Sequence, residues 1–251
     1  MAEGRRALVT GASSGIGEAT ARRLAADGWQ VMLVARREDR LRALAGSLPG
    51  ATHLAVDLTD DDAPARVRDA VGDELHLLVN NAGSAERAAF GDSERGGYEN
   101  VRRTMELNFD SVLRLTEALL PVLRRSAPSS IVNVSSVAGR VASPKQGAYA
   151  ASKFALAGWT DSLHLEEKRN GVHVGLVLPG FVATEGFPQE PLVRNPATRW
   201  MVSTPEKVAA AIVDAGPGGK AERIVPRPYA IVPLLRTLAP GLVRRGASRR
   251  A

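Results

Sequence analysis

Short apolar runs recur along the chain, each followed by a longer stretch in which apolar residues return every three or four positions. The runs are Ala7–Thr10, Gln30–Ala35, Thr52–Val56, Leu75–Asn80, Ser130–Val134 and Val172–Leu178, with a weaker one at Glu222–Val225. They are continuous rather than alternating, as a strand must be when helices cover both faces of its sheet. The pattern therefore predicts an α/β fold: one domain built on a doubly wound, parallel, seven-stranded sheet with helices on both faces.

Two of the intervening stretches are long. Val101, Met105, Phe109, Val112, Leu113, Thr116, Leu119, Leu120 and Leu123 repeat at helical spacing and predict one long amphipathic helix. Tyr149 to Lys168 predicts a second, rich in alanine where it can press on a neighbour. Thr204-Pro205-Glu206 places a capping hydroxyl ahead of a proline and opens another.

Composition narrows the chemistry. The 251 residues suffice for one sizeable core, and the absence of cysteine removes disulfides, thiolate nucleophiles and Cys-ligated metal centres. The histidines at 53, 76, 164 and 173 show no paired ligand spacing, so no metal site is expected. The net charge of +6 is localised: Arg223 to Ala251 holds seven arginines and no acid, while the rest of the chain is close to neutral. A neutral body argues against nucleic acid as a partner. No apolar run approaches a membrane span and the first residues lack a signal pattern, so a cytoplasmic protein is expected.

The first strand runs into Thr10-Gly11-Ala12-Ser13-Ser14-Gly15-Ile16-Gly17 and then a helix. A strand, a tight turn and a helix N-terminus direct unpaired backbone N–H groups at one point, which suits a pyrophosphate. Gly11 would allow the turn, Gly15 the approach of phosphate and Gly17 the packing of helix on strand. A purely structural turn is the alternative. At the end of the second strand, where an acid would meet a free ribose hydroxyl, the chain has Arg36-Arg37. Arg36 can hold a 2′-phosphate bidentately, favouring NADP(H), unless the two arginines merely face solvent.

Tyr149-Ala150-Ala151-Ser152-Lys153 sets a phenol and an ammonium one turn apart, close enough for the cation to favour phenolate. Ser136 follows an apolar strand and could reach the same reacting oxygen. Asn108 is an amide among apolar neighbours and needs a partner.

Taken together, TGASSGIG at 10–17, Asp57-Leu58, NNAG at 80–83, Asn108, Ser136, YAASK at 149–153 and Pro179-Gly180 leading to Thr184 resemble the short-chain dehydrogenase/reductase family in its single-domain, Rossmann-like form. The resemblance spans Arg6 to about Val225. It implies a cofactor site of Gly11, Ser13, Ser14, Gly15, Ile16, Gly17, Arg36, Asp57, Leu58, Asn81, Ala82, Gly83, Tyr149, Lys153, Pro179, Gly180 and Thr184. Asp57 and Leu58 would flank the adenine, Asn81 to Gly83 would support the cofactor's centre, and Thr184 would meet the nicotinamide amide. It further implies Tyr149 as acid/base, Ser136 as partner of the substrate oxygen, Lys153 as ribose anchor and phenol tuner, and Asn108 as holder of a relay water. The expected reaction moves hydride between NADP(H) and a carbonyl or secondary alcohol. A dehydratase or epimerase, and a non-catalytic NADP(H)-responsive protein, are the competing readings.

Beyond Gly180, residues 184–203 carry Phe, Trp, Val and Leu without a sustained period, as a substrate loop would; an apolar substrate and packing onto the body are both open. Relatives of this kind often form dimers or tetramers, but the chain continues past Pro226. Residues 227–251 form a basic, apolar extension that suits a membrane surface, a cover over the site, a dimer contact or a solvated tail.

Overall fold

The computed structural model describes residues 4–185, 189–195 and 198–248. Parts of the expected substrate loop, 186–188 and 196–197, lie outside the described residues, as do Arg249 and Arg250. The strands are β1 (Arg6–Thr10), β2 (Gln30–Ala35), β3 (Thr52–Ala55), β4 (Leu77–Asn80), β5 (Ser129–Val134), β6 (Val172–Pro179), β7 (Phe181–Val182), β8 (Val202–Ser203) and β9 (Glu222–Val225). The helices are α1 (Gly15–Ala26), α2 (Glu38–Gly46), α3 (Ala63–Val71), α4 (Gly97–Met105), α5 (Ser111–Arg125), α6 (Gly147–Glu167), α7 (Glu190–Arg194), α8 (Pro205–Ala215), α9 (Ile231–Leu238) and α10 (Pro240–Ser248).

Seven strands form one parallel sheet in the order β3-β2-β1-β4-β5-β6-β9, and all seven apolar runs become its strands. Alternate residues of one strand feed two cores. Ala7 and Val9 pack with Leu24 of α1, Leu41 of α2 and Ile212 of α8. Leu8 packs on the opposite face with Val67 of α3, Leu119 of α5 and Leu163 of α6. The order reverses between β1 and β4, so their carboxyl ends open the crevice in which such sheets take their ligands.

The long helix expected across 101–123 is interrupted. Glu106–Asp110 forms a π-turn between α4 and α5, and the extra residue rotates the earlier face. Val101, Met105 and Phe109 are only half-buried, whereas Asn100, Thr104 and Asn108 point inward. The apolar spacing places the correct stripe on α5, through Leu115, Leu119, Val122 and Leu123, but not on α4. Elsewhere the local signals hold: Thr204 caps α8 by accepting from the Lys207 backbone N–H.

The first crossover relies on a missing side chain. A Cβ on Gly17 would lie 2.2 Å from the Gly11 carbonyl oxygen and 2.8 Å from the Asn81 amide nitrogen. Both belong to chain segments fixed by the sheet. Gly17→Ala should therefore cost about 1–3 kcal/mol in urea unfolding, the usual penalty for overpacking; wild-type stability would mean that α1 can lift off β1 freely.

Candidate active site

The crevice begins where β1 and β4 end. Thr10 Oγ1 donates to the Val79 carbonyl at 3.2 Å and accepts the backbone N–H groups of Asn81 and Ala82 at 2.9 and 3.0 Å. The Asn81 side-chain amide donates to the Thr10 carbonyl at 2.9 Å. Asn81 and Ala82 are thus locked beside the glycine turn. In that turn Gly11 and Gly15 adopt φ of +65° and +57°, conformations that favour glycine. Thr184 lies directly over Gly15, its methyl 3.2 Å from where a Cβ would stand. Ser14 begins α1 without capping it, so the first N–H groups of the helix keep no side-chain partner there.

The hydroxyls of Ser13 and Ser14 turn instead to Arg37, whose guanidinium donates to them at 3.0 and 2.7 Å. Arg36, mostly exposed, reaches Asp57 at 3.4 Å. Burial works to raise the Asp57 carboxyl, but hydrogen bonds from the Thr59 backbone and hydroxyl, with Arg36 nearby, hold it below the usual range. Leu58 is spent on the core, so only its main chain remains for a ligand. Ile16 likewise packs against the core, while its carbonyl accepts from Thr20. Arg37 is the residue that the sequence reading passed over: side by side, two arginines look alike until the turn is folded.

Across the crevice, β5 and α6 bring the remaining groups together. Ser136 donates to the Pro179 carbonyl at 3.2 Å, tying the end of β5 to β6. Gly180 donates its backbone N–H to Val225 at 2.7 Å, and the Tyr229 ring fills the space where a Cβ would sit. The Ser136 hydroxyl lies close enough to the Tyr149 phenol to act on its acidity. Lys153, one turn along, is buried and donates to the Val134 carbonyl at 3.0 Å, its Nζ 5.8 Å from the Tyr149 ring centre.

One electrostatic expectation is corrected. Burial raises the Tyr149 phenol above its ordinary value, and the Ser136 hydroxyl only partly offsets this. Lys153 is itself desolvated, which lowers its pKa to about 8, so it keeps its proton at neutral pH but is not among the groups acting on the phenol at rest. The phenol at rest is a loaded proton donor.

Asn108 is fully buried in the π-turn. Its amide donates to the Ser84 carbonyl at 2.9 Å and to Ser152 Oγ at 3.1 Å, and its Oδ1 accepts the Ser84 backbone N–H at 2.9 Å. The side chain therefore pins the loop after β4 to α6, and a relay water would have to use its main chain. Gly83 completes the seam: a Cβ there would stand 3.0 Å from Asn108 Oδ1 and 3.4 Å from Lys153 Nζ. Beneath the seam Asn80 donates to Asn133 at 2.9 Å, and Asn133 to Thr160 at 2.9 Å, a buried polar chain without a local sequence signature.

The segment expected to cover the substrate leaves and returns through the β7·β8 pair, which registers Phe181 with Val202 and Val182 with Ser203. Between them, Glu185 forms a bidentate pair with Arg40 of α2 at 2.5 and 2.8 Å. Trp200 is 57% and Val193 46% exposed.

The family model described as short chain dehydrogenase matches residues 5–191, and the chain belongs to that family. An uncharacterized oxidoreductase of Mycobacterium tuberculosis is 34% identical over 226 residues, covering 85% of this chain and 64% of its own length. The chain thus spans just under two thirds of that relative. Serine 3-dehydrogenase of Agrobacterium fabrum is 36% identical over 182 residues, 71% of this chain and 72% of that one. A Burkholderia cenocepacia short chain dehydrogenase, solved in complex with NADP, superposes with a TM-score of 0.82 at 26% identity, over 98% of both chains.

The buried lysine gives a test of the geometry that needs no substrate. A lysine whose folded pKa is about 8 binds fewer protons than in the unfolded chain, so protonation below pH 8 works against folding. That cost shrinks as pH rises from 8 toward the unfolded value. Lys153→Met should melt above wild type at pH 6, by a margin on the order of 3 kcal/mol at most. The gap should narrow toward pH 10; a pH-independent gap would place the amine in water.

Proposed function

We propose that the protein is an NADP(H)-dependent oxidoreductase that interconverts a carbonyl and a secondary alcohol. The observation that carries the reading is the neighbouring Ser136 and Tyr149, with the buried Lys153 one turn on, in a chain whose glycine turn is met by Arg37. Two features support a phosphorylated dinucleotide. Gly11 and Gly15 hold the turn in left-handed conformations that point its backbone toward the crevice, and Ser13, Ser14, Arg36 and Arg37 supply hydroxyl and guanidinium donors where an acid would repel a 2′-phosphate. The NADP bound to the Burkholderia relative agrees with that choice.

In this reading the cofactor supplies the hydride, and this chain's residues manage the oxygen. Ser136 donates to the substrate oxygen and Tyr149 hands it a proton during reduction, offsetting the charge that develops there. The phenol carries its proton at rest, as a donor to the reduced oxygen must. Lys153 anchors the ribose and stabilises the phenolate left behind. Asn108 and Gly83 position Lys153, and Thr184 above Gly15 is placed for the carboxamide end. The exposed Trp200 and Val193 favour an apolar substrate. An epimerase that oxidises its substrate transiently would use the same pair, but would show no net oxidation of NADPH with ketones.

Tyr149→Phe should lower carbonyl reduction by 10²-fold or more while leaving NADPH affinity within a few-fold. Oxidation of NADPH with a panel of ketones measures the first, and quenching of protein fluorescence the second. Turnover near wild type would overturn the acid/base assignment.

A paired variant tests the cofactor. Arg36→Asp with Arg37→Ser should shift preference from NADPH toward NADH by ten-fold or more, the scale of a lost charged hydrogen bond. An unaltered ratio of the two KM values would locate the phosphate elsewhere.

A further inference from the structure

The segment after the last strand is built the wrong way round for a surface helix. Ile231, Leu234, Leu235, Leu238 and Leu242 follow helical spacing and are 43% to 73% exposed. The side turned to the body carries the half-buried Val232, Pro233, Ala239 and Val243, while Arg236, itself exposed, reaches to 5.1 Å from the ring centre of Phe154 on α6. An ordinary amphipathic helix buries its apolar stripe and exposes its charges. Here the aliphatic stripe faces solvent across α9 and α10.

The charge around that stripe is one-sided. Arg227 precedes it, Arg244 and Arg245 follow it, and no acid occurs from residue 223 onward. A second copy of the same face would oppose arginine with arginine and offer no carboxylate in return. A bilayer interface rich in anionic lipid rewards both properties together, taking up the leucines and attracting the guanidinium border. The two helices, of eight and nine residues, lie on such a surface rather than crossing it. No helix among the described residues is long and apolar enough to span a membrane.

We propose that α9 and α10 dock this protein on the surface of an anionic lipid bilayer, through Ile231, Leu234, Leu235, Leu238 and Leu242. The base of the segment is firm, because Tyr229 packs against Gly180 and Phe181 at the end of β6. Docking therefore holds the body in a defined orientation instead of tethering it loosely.

Flotation of the full chain tests this with vesicles of phosphatidylcholine alone and with about a third phosphatidylglycerol. The wild type should float with the mixed vesicles, far less with phosphatidylcholine alone, and progressively less as salt rises. Leu234→Asp with Leu238→Asp should stay at the bottom while keeping its melting temperature and NADPH quenching. Arg244→Gln with Arg245→Gln should lower partitioning on the order of ten-fold. This second variant and the salt series keep the test decisive if the aspartates disturb folding. Failure of the wild type to float with anionic vesicles overturns the proposal. So does unchanged flotation of the leucine variant, or a dimer that the leucine variant splits while neither protein binds vesicles. None of these readouts depends on turnover, so the oxidoreductase reading stands or falls separately.

Discussion

A lysine ammonium that has lost its water must be enclosed by groups that tolerate it, and the loops around this crevice are shaped by that demand. Lys153 has one backbone carbonyl, Val134 O, to receive a proton donor, and no carboxylate among the causes that shift it. Its surroundings must also be close without colliding. Gly83 leaves the Nζ side clear, and Gly139 lets the turn after β5 pass within 2.6 Å of the Lys153 carbonyl at its absent Cβ. Ser135 donates to that same carbonyl at 2.9 Å. The ends of β4 and β5 and the first turns of α6 are consequently one rigid assembly, and the phenol of Tyr149 inherits its position from it.

The sheet was legible because its central strands are buried on both faces and mostly apolar, while the edge strands β3 and β9 are less buried and β9 reads more weakly. The same property hides nothing about register, so the seven runs could be read without knowing their partners. α4 could not be read that way. Its inward face is Asn100, Thr104 and Asn108, polar because it borders the catalytic seam, and the π-turn shifts the phase between it and α5. A period read through that turn assigns Val101 and Met105 to the wrong side. β7 and β8 are each two residues long and gain their identity only by meeting across the substrate loop.

Site residues divide along a similar line. Gly11, Gly17, Ser136, Tyr149 and Lys153 belong to local motifs whose spacing alone brings them near one another. Arg37, Thr10 and Ser152 act through partners far away in sequence: the glycine-turn serines, the backbone after β4, and Asn108. Residue type does not distinguish Arg37 from Arg36; direction out of the second strand does. The protonation of Tyr149 was likewise beyond a pairwise reading, since desolvation of the phenol outweighs the neighbouring hydroxyl.

The bidentate bridge from Arg40 to Glu185 joins a helix on the adenosine side to the first residues of the substrate loop. Exposed to water, it adds little to stability. Its geometry matters more, because Arg37 also lies within electrostatic range of Glu185. The position of residue 185, between β7 and β8, is thereby tied to α2. Whatever displaces that helix tugs on the start of the segment, and whatever moves the segment must first give up two hydrogen bonds.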